Sequence, residues 1–202
     1  MAAPIAVSPS RPDLAAFGGA VLIGGSNFVA VKLSNTELAP MYGAALRFTG
    51  AAAIFGLLAL ALSVPLPRGA ALGGDAIYGA LAFGGAYGAV GALMLWIASV
   101  AASEPWTLPS QSSTWLAVVW LATAGSVGLF YLVLLVIQRW TASAAVYSLA
   151  LTPVVAIALG AVLAGEPVTI GVVAGAAIVL LGVYVGAIRR PTDRARTAVA
   201  GS

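Results

Sequence analysis

Cysteine and histidine are both missing from this chain of 202 residues. Without cysteine there is no disulfide and no thiolate nucleophile. Without histidine, the side chain that most often moves protons near neutral pH is gone. Together the two absences remove the usual zinc, haem and iron–sulfur ligands. Charge is almost as scarce: nine basic and six acidic residues make up 7% of the chain, against about 25% in soluble domains. A soluble surface needs about 25–35% charged residues, so this chain cannot clothe a water-facing domain. Six acids are too few to suggest a carboxylate metal cluster. The net charge of +3 is not the footprint of a nucleic-acid partner, because the basic residues form no stripe along one face. A G-x-x-x-x-G-K-[ST] loop for nucleotide phosphates is also lacking. No catalytic residue, cofactor or metal site is read from the chain, which is therefore not expected to be an enzyme.

Apolar residues fill the space, at 61%. The charges leave six uncharged runs of at least 18 residues, at 14–31, 48–67, 76–103, 105–138, 140–165 and 167–188. A bilayer core about 30 Å thick takes roughly 20 apolar helical residues, so each run can hold one span. A charge at a helix centre costs roughly 2.5–3.5 kcal/mol on insertion scales, which explains why charges collect at the run ends. Runs such as LFYLVLLVI (129–137) do not alternate in the manner of barrel strands. Away from water only helices or closed barrels satisfy the backbone. The expected fold is an all-α integral membrane protein, a bundle of six transmembrane helices at 14–33, 41–66, 76–101, 115–137, 142–163 and 168–188.

Residues 1–13 then form a cytoplasmic tail, 14–102 a first membrane segment with three helices, 103–188 a second with three, and 189–202 a basic cytoplasmic tail. MAAPIAVSPS (1–10) lacks the basic start of a secretory signal. Orientation follows the bias of Lys and Arg in short loops. With the N-terminus inside, Arg11, Arg68, Arg139, Arg189, Arg190, Arg194 and Arg196 are inside and only Lys32 and Arg47 outside. Both termini are thus expected in the cytoplasm.

Gly contributes 24 residues and Ala 44. Small residues let helix backbones approach where no hydrophobic effect drives association. The pairs Gly84/Gly88, Gly171/Gly175 and Gly182/Gly186 have the small-xxx-small spacing, and the glycine faces of the third and sixth helices predict a homodimer. Pro153, in SLALTPVVAI, leaves the carbonyl of Leu149 without its helical donor and predicts a helix break. Ser148 and Thr152 stand where their hydroxyls can serve the freed backbone. Arg47 lies about two turns into the second helix, and Lys32 closes the first. An intramembrane charge is a functional candidate by default, though long basic side chains also snorkel to headgroups. Asn27 is the one carboxamide well inside a span. Substrate-pathway candidates are Asn27, Lys32, Arg47, Tyr131 and Tyr147. Trp96 and the Arg139–Trp140 pair read as packing or interface anchors.

GGSNFVAVKL (24–33) followed by MYGAALRFTGAAA (41–53) resembles the opening of an EamA-type member of the drug/metabolite transporter superfamily. The end of that family resembles residues 141–186: the small residues Ala142–Ala145, Pro153 in mid-helix, Glu166-Pro167 at a short turn, and a final helix with Gly171–Gly186. The resemblance spans nearly all of 14–188, so both membrane segments are EamA-like. It implies a multi-pass carrier in the cell membrane, or inner membrane. Its partners would be the bilayer and a small metabolite or drug, often moved outward and driven by a gradient. The family pattern is ten helices in two inverted repeats. This chain offers six, and its third helix is similar to the family's third at its beginning and to the seventh at its end. The other reading of the residues is a non-transporting truncated relic or a membrane assembly protein.

Overall fold

The computed structural model describes residues 9–62, 76–140 and 142–188. Residues 1–8 of the expected tail at 1–13, the expected tail at 189–202, residues 63–75 and Thr141 lie outside the described residues, and Arg11–Asp13 of the first tail are helical instead. Six helices run through the rest: α1 (Arg11–Ser34), α2 (Pro40–Ala61), α3 (Ala76–Ala101), α4 (Ser112–Arg139), α5 (Ala142–Ala164) and α6 (Ile170–Ile188). No strand occurs among the described residues. Five of the helices are long and apolar enough to cross a membrane, and the apolar stretch of α6, Ile170–Val185, is shorter. The chain is an all-helical, multi-pass membrane protein. Helix α2 ends at Ala61, before the expected 66, and the last residues of that expectation fall in the undescribed stretch.

Two helices depart from a plain α-helical rod. In α4 the residues Thr123–Gly128 form a π-helical turn between Ser112–Ala122 and Leu129–Arg139. In α5, Pro153 sits inside the helix. The Thr152 hydroxyl donates to the carbonyl of Ser148 at 3.2 Å, and the Ser148 hydroxyl to that of Ala145 at 2.7 Å. The two hydroxyls thus serve carbonyls one turn back, not that of Leu149.

The helices alternate up and down. Helix α4 lies between α1 and α2; α3 packs on α2, α5 on α1, and α6 on α5. Glycines set the closest approaches. A Cβ on Gly25 would stand 2.5 Å from Val155 Cγ1, and one on Gly24 2.8 Å from Thr152 Oγ1. Helices α1 and α5 can therefore touch beside Pro153 only because Gly24 and Gly25 carry no side chain. On α3, a Cβ on Gly84 would stand 2.9 Å from the Phe55 ring, and one on Gly88 3.4 Å from Ala52. That small-residue pair is a real helix contact. On α6, nothing lies within 4 Å of such an atom on Gly175 or Gly182.

Three carboxylates fasten one end of the bundle. Helix α3 closes at Ser103, whose φ of 51° is left-handed; its N–H donates to Val100 O and the next N–H, of Glu104, to Ser99 O. This is a Schellman closure with serine in the place usually taken by glycine. It aims Glu104 at the start of α2, where its two oxygens accept from Met41 N–H (3.1 Å) and Tyr42 N–H (2.8 Å). Ala39 has no side chain with which to cap α2, so a residue from another loop does it. Glu37 fixes the approach to α4, accepting from Ser110 N–H at 3.2 Å, from the N–H of the N-cap residue Gln111 at 3.1 Å and from the Ser110 hydroxyl. Carboxylates suit both places because a helix N-terminus carries partial positive charge. Glu166 pairs with Lys32, tying the α5–α6 turn to the end of α1. Just below this rim, Tyr42, Trp96 and Trp106 pack ring on ring, with centroids 5.0–6.3 Å apart.

Candidate functional site

Midway along the bundle, α2, α3 and α4 line a partly open cavity of about 250 Å³. Its walls are Phe48, Ala51 and Phe55 from α2, Gly84, Tyr87 and Gly88 from α3, and Ser126 and Phe130 from α4. The α2 residues recur at helical spacing, so one face of that helix supplies a wall. Gly84 and Gly88 form the opposite wall; a Cβ on Gly84 would run into the Phe55 ring, while one on Gly88 would only touch Ala52. Phe55 and Phe130 meet edge to face at 5.7 Å, a favoured arrangement of two rings. Tyr87 is 68% exposed and stands at the cavity's mouth.

The third wall comes from the π-helical turn. Ser126 reaches Leu121 O with its hydroxyl at 2.8 Å, five residues back, as the wider turn requires. That turn is bonded to α1. The Asn27 amide donates to Gly125 O at 2.9 Å, while its own Oδ1 is buried without a partner. A Cβ on Gly125 would sit 2.2 Å from that oxygen, so glycine at 125 is what lets the amide approach. π turns concentrate at functional sites, and this one presents Ser126 and Phe130 to the cavity.

None of the candidates expected from the residues lines this cavity. Arg47 is half-buried, and its guanidinium carbon lies 4.9 Å from the centroid of the Phe48 ring, which is cavity wall. Asn27 holds Gly125, the neighbour of Ser126. Tyr131 follows Phe130 and is 51% exposed, turned outward. Tyr147 is half-buried on α5, away from the lining residues. Lys32 is in the ion pair with Glu166 at the end of the bundle. The structure therefore gathers Arg47 and Asn27 around one cavity and leaves Lys32, Tyr131 and Tyr147 elsewhere. The aromatic wall was missed from sequence because phenylalanines in an apolar chain carry no mark of which way they face. The signal was present only as neighbours: Phe48 beside Arg47, and Phe130 beside Tyr131.

Two of the rim carboxylates, Glu37 and Glu104, are held ionised. Hydrogen bonds from the Ser110 hydroxyl, joined by the N–H groups of Gln111 and Ser110, pull Glu37 down to about 2. At Glu104 burial pushes upward, but donors from Met41, Ser99 and Tyr42 outweigh it and leave the group below its ordinary value. Among the described residues there is no cluster of His, Cys, Asp and Glu that could hold a metal ion.

Residues 79–187, more than half of the chain, match the model of the EamA-like transporter family. The match begins in α3 and runs through α6. No curated protein and no solved structure matches the chain.

Proposed function

Since the chain belongs to the EamA-like transporter family, we propose that it is a gradient-driven carrier of small metabolites or drugs across the cell membrane, with both termini in the cytoplasm. The carrying observation is the mid-bundle cavity between α2, α3 and α4, beside a π turn. Carriers bind solutes near the bilayer midplane, where irregular helix geometry lines a cavity. Composition supports the same reading, because seven basic residues fall on the proposed inner side and two on the outer. The three fastened carboxylates close the proposed outer end, so the described arrangement fits an outward-closed conformation.

The test is solute flux in proteoliposomes against a broad metabolite and drug panel, with and without a proton or sodium gradient. Wild type is expected to move at least one solute, and Ala51→Phe, which fills the cavity, to lose it. Absence of flux from wild type across the panel would refute the carrier.

A second reading, membrane assembly, draws on α6. Its apolar side chains are largely exposed and Gly175 and Gly182 have open space before them. A homodimer through α6 predicts a cross-link between two copies in native membranes that Gly175→Leu removes. A wild type that never cross-links there would count against it.

A further inference from the structure

We propose that the cavity takes a small organic anion with an aromatic body, its ring among Phe48, Phe55, Tyr87 and Phe130 and its anionic group toward Arg47. The inference rests on the carrier reading and adds the class of substrate.

Arg47 is the starting point. It is half-buried about two turns into a membrane-spanning helix, and no carboxylate among the described residues pairs with it. A charge at such depth ordinarily finds a partner. Unpaired, it pays a desolvation penalty that a bound anion would offset. Its guanidinium carbon lies 4.9 Å from the centroid of the Phe48 ring, so the charge stands next to a wall residue of the cavity. Arg47 and Ala51 are four residues apart and share one face of α2. Ala51 lines the cavity, which puts Arg47 one turn above it toward the carboxylate end.

The walls then choose the body of the ligand. Four aromatic side chains and two glycines leave about 250 Å³ of mainly apolar space, suited to a flat ring. Aromatic walls alone would also suit an organic cation. Here one ring face already carries the guanidinium, and no carboxylate lines the cavity. A second cation would be repelled and an anion attracted. Arginine adds geometry, because its planar fork can bind both oxygens of a carboxylate, sulfonate or phosphate. Such a group can also come from a phospholipid, so the source has to be tested along with the site.

The experiment is equilibrium binding of benzenesulfonate, an anion across the working pH range, and of its neutral analogue benzenesulfonamide. The full chain is reconstituted in discs of phosphatidylcholine. Wild type is expected to bind the sulfonate about tenfold more tightly, the equivalent of one charge-assisted hydrogen bond. Arg47→Gln should bring the two probes level, and Arg47→Lys should recover only part of the preference. Ala51→Phe should abolish both. Should that variant not fold, as judged by helical circular dichroism, Ser126→Leu fills the cavity from the other wall. Equal affinities in wild type, a preference that survives Arg47→Gln, or binding of neither probe would overturn the proposal. So would loss of sulfonate binding in discs containing phosphatidylglycerol, which would give the site to lipid. Flux separates this from the carrier reading. A protein that binds the sulfonate but moves no solute refutes the carrier and keeps the anion site. One that moves neutral solutes alone does the reverse.

Discussion

Asn27 shows how one side chain can be bonded to a neighbouring helix. Its amide reaches from α1 to Gly125 O, and the carbonyl it holds lies within the π turn of α4. Interhelical hydrogen bonds of this kind contribute about 0.6–2 kcal/mol in membranes. Gly125 leaves no room for change, with a Cβ position 2.2 Å from Asn27 Oδ1. Gly125→Ala is therefore expected to destabilise by about 1–3 kcal/mol, the usual cost of overpacking. Adding Asn27→Ala should recover most of it, because the offending oxygen is then gone. Unfolding titrations of the four proteins in mixed micelles would check the cycle. Additive losses would mean that the two residues do not meet. The Lys32–Glu166 pair is of a different kind. Its side chains are 53% and 47% exposed, so its contribution to stability is about 0–1 kcal/mol.

Two helices in this protein, α2 and α4, have their starts held by residues far away in the chain. The first N–H groups of α2 are held by Glu104 and those at the start of α4 by Glu37. The Glu37 carboxyl is depressed to about 2 from an ordinary 4.5. A depressed carboxyl adds stability above its unfolded value, and that stability is lost as pH falls through the folded value. Thermal unfolding in detergent should therefore shift downward between about pH 4.5 and 2. Glu37→Gln should show a smaller shift over the same window. An identical pH profile in the variant would exclude Glu37 as the source. The glycine pairs divide in the same element-by-element way. Gly84→Leu should disrupt the α2–α3 contact, because Phe55 occupies the space. Gly175→Leu should leave the single chain's stability unchanged, because nothing stands before it. Unfolding titrations of the two variants side by side would decide, and equal losses would contradict the packing.

For the whole molecule the question is direction. Six alternating helices place Arg11 and Arg139 at one end and Lys32, Glu37, Glu104 and Glu166 at the other. With the basic end inside, reporter fusions at Arg139 and Ser202 should read cytoplasmic and one at Pro109 external. An external signal at Ser202 would reverse the proposed orientation or break the six-helix count. The neighbour order also matters: α4 stands between α1 and α2, while α3 and α6 flank the assembly. The cavity thus belongs to the α2–α3–α4 side, whereas the close glycine packing of α1 on α5 makes the other side solid.

The residues alone determined where the helices run, that they lie in a membrane, and the family that they resemble. A start at Ala142, one within a residue of Pro40, and ends near Ser34 and Ala101 were legible because uncharged length is all that a bilayer demands of a span. Even Gly84 and Gly88 were visible as a candidate contact. Which way each helix faces was not legible. In a soluble helix the apolar stripe marks the buried side. Here lipid and interior are equally apolar, so Phe55, buried against Gly84, and Leu57, exposed, look alike in the chain. Only the rotation of α2, α3 and α4 against one another put four aromatic rings around one cavity and brought Arg47 to its wall. The cross-loop caps at Glu37 and Glu104 were hidden for a related reason, since their donors lie more than sixty residues away along the chain. Proximity of that kind exists only once the chain has folded.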